Sequence, residues 1–303
     1  MLDNCLQSIQ SQGNYLIPII VIDNASTDNT KRIVEKWQET ITNITYVFES
    51  KPGLSYARNC MMDAVTTEYM HYIDDDTVLP KDFIDNLISF LKKYQPVAYT
   101  GKIIPSFNGK KPKWYKDKYL SGSNVDLKTG LLSDGFLMGG NMGFKTERLK
   151  ILGGFPTDFG KGSSKMYGEE TYLENKLKQL NIDLHYSSEI LLYHYGNDDT
   201  IFKVIKMHYH HLHSNIVLRQ FLNIKHPYKT YIFYYSKELA KNFFNGFLAL
   251  FRDKNYYIQN WIIDISKSLF GIYVNVIHWI SSKKLNGKKN RHEPFDETIS
   301  KTV

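Results

Sequence analysis

Three consecutive aspartates, Asp74, Asp75 and Asp76, are the residues of this sequence whose chemistry is easiest to interpret. They follow the apolar run 69–73, so we expect them at the carboxyl end of a buried strand. Adjacent carboxylates repel one another unless a cation or hydrogen-bond donors offset their charge. Mg²⁺ and Mn²⁺ take oxygen ligands, commonly one or two carboxylates together with water and substrate phosphates. The cluster therefore indicates a divalent-metal site, and a solvated acidic turn before a helix is the alternative.

The elements around the aspartates alternate between short apolar strands and helical stretches, which is typical of a parallel sheet covered by helices. In such sheets ligands bind beyond the carboxyl ends of the strands, because the loops there leave a crevice and unpaired backbone donors. We predict strands over 17–23, 44–48, 69–73, 97–103 and 182–193, helices over 28–38, 54–65, 80–94 and 168–180, and regular structure over 136–145.

The remainder of the chain has a different character. Residues 105–135 are rich in Gly, Lys, Ser and Pro without a clear period, which predicts a long surface loop that could cover the crevice. After residue 199 the strand pattern ends, and three long helix-like segments rich in Tyr, Phe, Ile and Lys follow. We therefore divide the chain into a catalytic domain, 1–197, and a helical region, 198–303.

Three stretches of the first half share their order and spacing with a known family. They are VIDNASTD at 21–28, KPGLSYARN at 51–59 and YIDDDTVLP at 72–80. Over residues 1–195 the sequence resembles the family 2 glycosyltransferases. The resemblance implies an α/β structure of the GT-A type, a nucleotide-sugar-binding, Rossmann-like mixed sheet flanked by helices, here followed by the C-terminal helical region.

The resemblance implies that the first half binds the donor. Asp23 corresponds to the aspartate that contacts the nucleotide base or ribose, and Arg58 to a residue whose planar guanidinium can pair with diphosphate or base. Asp74 and Asp76 match the Asp-x-Asp (DXD) pattern, with Asp76 the expected direct metal ligand and Asp74 nearer the ribose, and Asp75 completes the donor set. The alternatives are a turn residue for Asp23 and an exposed helix arginine for Arg58.

The acceptor side of the site also comes from the resemblance. Inverting transfer needs a general base that takes the proton of the attacking hydroxyl, and the family places it in an acidic pair at a helix start, here Glu169 and Glu170. Glu170 stands where an aspartate is usual, so either glutamate could be the base. The alternative is that both glutamates are structural, because the helix dipole favours acidic residues at the start of a helix. The small residues Gly139 and Gly140, with Asn141, match the segment that lines the acceptor pocket.

A histidine completes the expected metal site. His194 follows the last predicted strand, and in many relatives a histidine at this place joins Asp74 and Asp76 as a ligand of Mn²⁺ or Mg²⁺; imidazole is acceptable to Mn²⁺. A structural histidine is the alternative. The further histidines within 208–213 lack a carboxylate or cysteine at metal spacing, so we assign them to a helix surface or a phosphate-rich interface.

The composition sets limits on partners and compartment. Lys and Arg number 38 against 31 Asp and Glu, a net charge of +7 that suits a phosphate-bearing partner such as a nucleotide, a lipid headgroup or a nucleic acid. The resemblance favours a nucleotide sugar and no nucleic acid. Two cysteines do not make a disulfide framework, and no apolar run reaches the roughly 18 residues of a spanning helix. We expect a cytoplasmic protein.

The segment 260–280 predicts a two-faced helix. One face carries Ile, Leu and Val, and the other carries polar residues that include Ser268 and Asn275. Trp261 and Trp279 stand near its ends and a lysine-rich tail follows, a combination expected of a helix on an anionic membrane. Peripheral binding to the inner face of the cell membrane is one interpretation, and packing against the catalytic domain is the other.

The amino end departs from the family. Its members begin with a central strand, whereas residues 1–9 here match the helix that follows that strand. We expect the strand to be encoded upstream of Met1; an inactive protein that lacks the strand and a protein in which another segment takes its place are the alternatives. Without it, backbone groups of the neighbouring strands would lack hydrogen-bond partners and a groove would remain in the core.

The leading hypothesis is an inverting, metal-dependent glycosyltransferase of the hexosyltransferase type, which acts in polysaccharide or glycoconjugate assembly. Its donor is a nucleotide-diphosphate sugar, of the UDP type because an aspartate such as Asp23 usually accompanies uridine in this fold, and its acceptor is a saccharide or a lipid-linked saccharide. Two alternatives stay open. One is a non-catalytic nucleotide-sugar binder or scaffold, and the other is a nucleotidyltransferase, which needs no base at Glu170 but usually has a Gly-rich, Lys-bearing amino end.

Overall fold

The computed structural model describes residues 1–13, 17–121, 124, 126–133, 136–163, 167–195, 200–222 and 224–285. Helices and strands alternate through the first half, as predicted. Its elements are α1 (Leu2–Gln10), β1 (Ile19–Asn24), α2 (Thr30–Gln38), β2 (Ile44–Glu49), α3 (Leu54–Ala64), β3 (Tyr69–Ile73), β4 (Thr77–Val78), α4 (Phe83–Tyr94) and β5 (Ala98–Pro105).

The second half is helical after residue 200, also as predicted. Its elements are α5 (Lys118–Ser121), β6 (Gly130–Leu131), β7 (Asn141–Lys145), α6 (Thr146–Ile151), α7 (Glu169–Gln179), β8 (Leu184–His194), α8 (Ile201–Phe221), α9 (Tyr228–Arg252) and α10 (Ile258–Leu285). The regular structure expected over 136–145 is a strand only from Asn141, because residues 139–140 form a turn.

A mixed six-stranded sheet organises the site. Its order is β3-β7-β5-β8-β4, with β6 paired to β8. β5 and β8 run parallel, whereas β7 is antiparallel to both β3 and β5. Alternate residues of each strand face opposite sides, so each face of the sheet buries its own apolar cluster. Leu173 and Leu177 of α7 complete one cluster, and Phe83 and Leu87 of α4 complete the other.

A slot separates this sheet from the remaining two strands. β1 and β2 form a parallel pair of their own, and among the described strands β1 pairs only with β2 and β3 only with β7. A cavity of about 970 Å³ lies between the facing edges of β1 and β3, with apolar side chains of α1 and α4 in its lining. The groove expected from the sequence is therefore present. The upstream strand itself stays a prediction.

The segment 105–135 is not the surface loop that the sequence predicted. It contains α5 and β6, and Tyr115 and Tyr119 are buried in a cluster with Val204 of α8 and Ile263 of α10. The prediction was wrong because two large aromatic rings bury enough apolar surface to anchor a segment that has no helical or strand periodicity.

The C-terminal helices pack on the first half through that same cluster. Asn260 at the start of α10 donates from Nδ2 to the carbonyl oxygen of Trp114 and to the hydroxyl of Tyr119, both at 2.6 Å. The division into 1–197 and 198–303 stays a prediction. Within the described ranges, every helix is too short or too polar to cross a bilayer.

Candidate active site

The three expected metal ligands converge at the turn between β3 and β4. Asp74 and Asp76 lie on that turn, and His194 is the last residue of β8. Because the two-residue strand β4 pairs antiparallel with β8, Thr77 stands opposite His194 and draws the imidazole next to the aspartates. One ligand atom from each of Asp74, Asp76 and His194 lies within 4.8 Å of the others.

Hydrogen bonds fix the backbone of this turn, and its carboxylates lie next to His194. The hydroxyl of Thr77 donates to the carbonyl oxygen of Asp74 at 2.7 Å, and the amide of Tyr195 donates to the carbonyl oxygen of Asp76 at 2.8 Å. Asp76 Oδ1 lies 3.3 Å from His194 Nε2. Burial raises the pKa of Asp76; His194 opposes the rise, and Asp74 and the exposed Asp75 add to it. Two carboxylates and an imidazole form a donor set that suits Mn²⁺ or Mg²⁺.

Asp23 is buried at the carboxyl end of β1 and is held ionised by hydrogen bonds. The hydroxyl of Tyr46 donates to Asp23 Oδ2 at 2.6 Å, and the amide of Ser26 donates to Oδ1 at 2.9 Å. Burial alone would raise the pKa of Asp23, but these donors keep it below the usual value. Asp23 is therefore a fixed hydrogen-bond acceptor.

Sequence reasoning overlooked the residue after Asp23. Asn24 donates from Nδ2 to the carbonyl oxygen of Lys51 and accepts from the amide of Gly53, both at 2.7 Å. It thus ties the end of β1 to the turn that begins α3. Two features of the sequence point to this contact, namely the position of Asn24 next to Asp23 and the Pro-Gly pair at 52–53. Neither shows that the end of β1 meets the turn before α3.

Arg58 of α3 is buried, so the exposed-arginine alternative is wrong. Its Nη1 donates to Glu169 Oε1 at 2.9 Å, and its guanidinium carbon lies 5.3 Å from the ring centroid of Phe155. Burial by itself would lower the pKa of Arg58, but Glu170 and Glu169 raise it, so the guanidinium stays charged. This hydrogen bond joins the donor half of the site to the acidic pair.

The acidic pair begins α7, as predicted. Glu169 is almost fully buried, whereas Glu170 is half-buried. Burial and the neighbouring Glu170 raise the pKa of Glu169 to about 8, although Arg58 opposes the rise. Oε2 of each glutamate is buried and accepts no hydrogen bond from the residues that the structure describes. Carboxylate oxygens without donors are suited to take a proton.

Gly139 and Gly140 lie between the acidic pair and the aspartates. A Cβ added at Gly139 would collide with Arg58 Nη2 and lie 2.9 Å from Glu170 Oε1. A Cβ at Gly140 would lie 2.7 Å from Asp74 Oδ2. Side-chain-free residues here let the metal-binding turn, the arginine and the acidic pair meet on one surface.

Asn141 is fully buried, and its contacts are with the sheet. Its Nδ2 donates to the carbonyl oxygens of Lys102 and Ile190 at 2.9 Å each, which joins β5 to β8 beside the irregular register at residues 101–102. These bonds support a structural function. Acceptor binding by Asn141 stays a prediction.

The histidines within 208–213 lie on α8, and the helix-surface assignment holds for His211 only. His211 is exposed, and its ring packs 5.7 Å from that of Tyr167. The other three are partly buried, and Nε2 of His208 and of His210 is fully buried. In the described part of the chain, the only group of three or more His, Cys, Asp and Glu side chains placed to hold a metal is that of Asp74, Asp76 and His194.

The comparisons with known proteins agree with this architecture. The pattern described as "Glycosyl transferase family 2" matches residues 1–153, and the chain belongs to that family. It is 30% identical to the glycosyltransferase GlyA of Streptococcus pneumoniae, over 38% of this chain and 16% of that protein. It is 26% identical to the GalNAc(5)-diNAcBac-PP-undecaprenol beta-1,3-glucosyltransferase of Campylobacter jejuni, over 57% of this chain and 52% of that protein. The chain thus spans about half or less of these relatives.

Solved structures show the same fold. The crystal structure of S. aureus TarS 1–349 in complex with UDP-GlcNAc superimposes with a TM-score of 0.51 at 12% identity, over 97% of this chain and 90% of that one. The mixed sheet flanked by helices, with its helical C-terminal region, is a GT-A fold, as the sequence predicted.

Proposed function

We propose that the protein is an inverting hexosyltransferase that moves a sugar from a UDP-sugar donor to a saccharide or lipid-linked saccharide, in polysaccharide or glycoconjugate assembly. The observation that supports this proposal most directly is that the Asp74–Asp76–His194 cluster and the Arg58–Glu169–Glu170 group meet across Gly139 and Gly140. A site that neutralises a leaving diphosphate thus adjoins a site that can accept a proton. The UDP-GlcNAc complex of TarS and the undecaprenol-linked substrate in the name of the Campylobacter relative support these substrate classes.

Mn²⁺ or Mg²⁺ would be held by Asp74, Asp76 and His194. When bound, the ion neutralises charge that develops on the departing diphosphate. On the other side of the crevice Asp23, ionised and fixed by Tyr46, would accept a hydrogen bond from the base or the ribose. Asp75, which is exposed beside the metal ligands, remains in the proposed donor set.

We assign the general base to Glu170. Glu169 Oε1 already accepts from Arg58, and its side chain is almost fully buried, so Glu169 is better suited to position the arginine than to reach an acceptor. The half-buried Glu170 is more open to a hydroxyl. Arg58, charged and close to Asp74, would lend positive charge to the diphosphate side.

We also propose that the reaction takes place in the cytoplasm. Both cysteines are free, and burial raises the pKa of the Cys5 thiol to about 12, so this thiol is unreactive. Free, unreactive thiols suit a reducing compartment.

The test is sugar transfer from a panel of UDP-sugars with Mn²⁺, by the wild-type chain and by Glu170→Gln and Glu169→Ala. We expect Glu170→Gln to lower kcat about 100-fold or more while UDP binding is kept. Glu169→Ala should instead weaken UDP binding as well, because it removes the oxygen that accepts from Arg58. Full activity of Glu170→Gln would contradict the assignment of the base. Binding of UDP-sugars without transfer or hydrolysis in the wild type would favour the non-catalytic binder.

A further inference from the structure

The C-terminal helices α9 and α10 pack against each other through polar and aromatic groups. Nδ2 of Asn242 in α9 donates to Ser268 Oγ in α10 at 3.2 Å, and Trp261 Nε1 donates to the carbonyl oxygen of Asn242 at 3.0 Å. Just before α9, His226 hydrogen-bonds Asn275 at 2.8 Å. The two helices are antiparallel, since Lys229 early in α9 lies 5.7 Å from the ring centroid of Trp279 late in α10, whereas Asn242 meets Trp261 near the start of α10.

Helix α10 presents apolar side chains to solvent on one side. Its polar residues Asn260, Ser268 and Asn275 are at most 2% exposed, and its apolar residues Ile263 and Val274 are buried as well. Leu269 is 50% and Tyr273 53% exposed. The exposed stripe comprises Ile258, Ile262, Leu269, Tyr273, Ile277 and Ile280. An apolar stripe of this length marks a contact surface.

An outward stripe of α9 has the same character and also carries positive charge. Phe244 is 67% and Phe251 76% exposed. Phe233 lies in the same row, and so do the exposed Lys237 and Lys241, because these residues recur at helical spacing. Lys237 Nζ lies 4.5 Å from the ring centroid of Phe233. Lysines with long apolar stems among exposed aromatic rings match an interface between hydrocarbon and water.

From this arrangement we infer that the outward face of α9 binds an anionic lipid bilayer. Helix α9 would lie in the plane of the interface, with its aromatic side chains below the headgroups and its lysines among the lipid phosphates. A second copy of the chain is a poorer occupant, because the centre of a protein interface is depleted in lysine. The net charge of +7 favours the anionic surface as well.

The inference goes beyond the proposed function and does not depend on it, since bilayer binding requires neither donor nor metal. It is tested by sedimentation of the full chain with phosphatidylcholine vesicles that contain or lack about a third of phosphatidylglycerol. We expect partition into the anionic vesicles and little into the neutral ones. The double variant Phe244→Gln/Phe251→Gln should lower the partition coefficient about tenfold or more.

Matched controls test whether a loss of vesicle binding is specific to the outward face of α9 or follows from the same substitution elsewhere on the protein. Phe202→Gln changes a side chain that is 77% exposed on α8 and should leave partition unchanged. Lys237→Gln/Lys241→Gln should weaken binding about tenfold or more, whereas Lys92→Gln/Lys93→Gln on α4 removes the same charge and should not. Thermal unfolding of each variant verifies the fold.

Two results would overturn the inference. One is equal partition of the wild type and the phenylalanine double variant. The other is a dimer of the wild type, measured by light scattering, that the same double variant dissociates, because a second copy would then occupy the face.

Discussion

At the scale of single residues, Gly139 has a function that can be tested by adding one methyl group. A Cβ there would meet Arg58 Nη2 and Glu170 Oε1 at less than van der Waals distance. We expect Gly139→Ala to displace the arginine or the glutamate and to lower the transfer rate about 100-fold, because small misplacements of reacting groups are costly. The measurement is kcat together with thermal unfolding.

Gly109→Ala is the matched control for that substitution. A Cβ at Gly109 would have no atom within 4 Å among the described residues. The control should therefore keep both rate and stability. Wild-type kinetics for Gly139→Ala would show that the close approach of Arg58 and Glu170 is unnecessary.

The buried Glu169 gives a prediction for stability against pH. Its pKa is raised from 4.5 to about 8 in the folded chain, so the folded state holds a proton that the unfolded state releases. The stabilisation from that proton is complete below about pH 4.5 and is lost as the pH rises through 8. Between pH 6 and 9 the melting temperature of the wild type should fall relative to that of Glu169→Gln. A difference in melting temperature that does not change with pH would contradict the raised pKa.

The sequence predicted which residues would lie together better than it predicted their contacts. The run of aspartates was singled out by residue type, and the glutamate pair and His194 by the resemblance; their functions stay predictions. The bonds that hold them were not, because Tyr46 and Asn24 act through contacts that only the pairing of β1 with β2 and the turn at 51–53 create. The hydrogen bond of Arg58 with Glu169 spans 111 residues and leaves no local signal.

At the scale of elements, the slot between β1 and β3 leaves strand edges unpaired. The amide of Ile19 donates to Asn43 of the β2 side, and successive residues of a strand direct their amides to opposite sides. The amides of Ile20 and Ile22 therefore point into the slot. In hydrogen exchange they should exchange about tenfold or more faster than those of Tyr99 and Thr100 in β5, which lies between two strands.

Hydrogen exchange measured by NMR on the chain as it stands tests this directly. Protection of Ile20 and Ile22 equal to that of β5 would mean that a further segment fills the slot.

Element types were largely predictable, and their pairing was not. Apolar runs predicted the strands β1, β2, β3, β5 and β8 to within a few residues. The two-residue β4, which aligns His194 with the aspartates, is too short for any pattern. Tyr115 and Tyr119 were overlooked in a segment rich in Gly and Lys, because burial of isolated aromatic residues depends on α8 and α10, which lie far along the chain.

At the scale of the whole molecule, the fold gathers one chemical surface from distant parts of the chain. Asp23, Asp74 and the glutamates at 169–170 come from separate strand ends and a helix start, and glycines 139–140 let Asp74 and Glu170 approach. The family membership could be predicted from three short motifs. An apolar stripe of α10 open to solvent was one of two interpretations, since a two-faced pattern does not say which face is buried, and the outward face of α9 was not predicted.

The proposed activity depends most on a divalent metal held for a UDP-sugar by Asp74, Asp76 and His194. The most direct test is calorimetric titration of the chain with UDP in the presence and absence of Mn²⁺, for the wild type, Asp76→Asn and Asp82→Asn. Asp82 is exposed and forms no side-chain cap on α4, so its change is the matched control. We predict that Mn²⁺ tightens UDP binding by the wild type and by Asp82→Asn about tenfold or more, and that Asp76→Asn loses this gain. Equal UDP affinity of the wild type with and without Mn²⁺, or an undiminished gain in Asp76→Asn, would contradict the metal site.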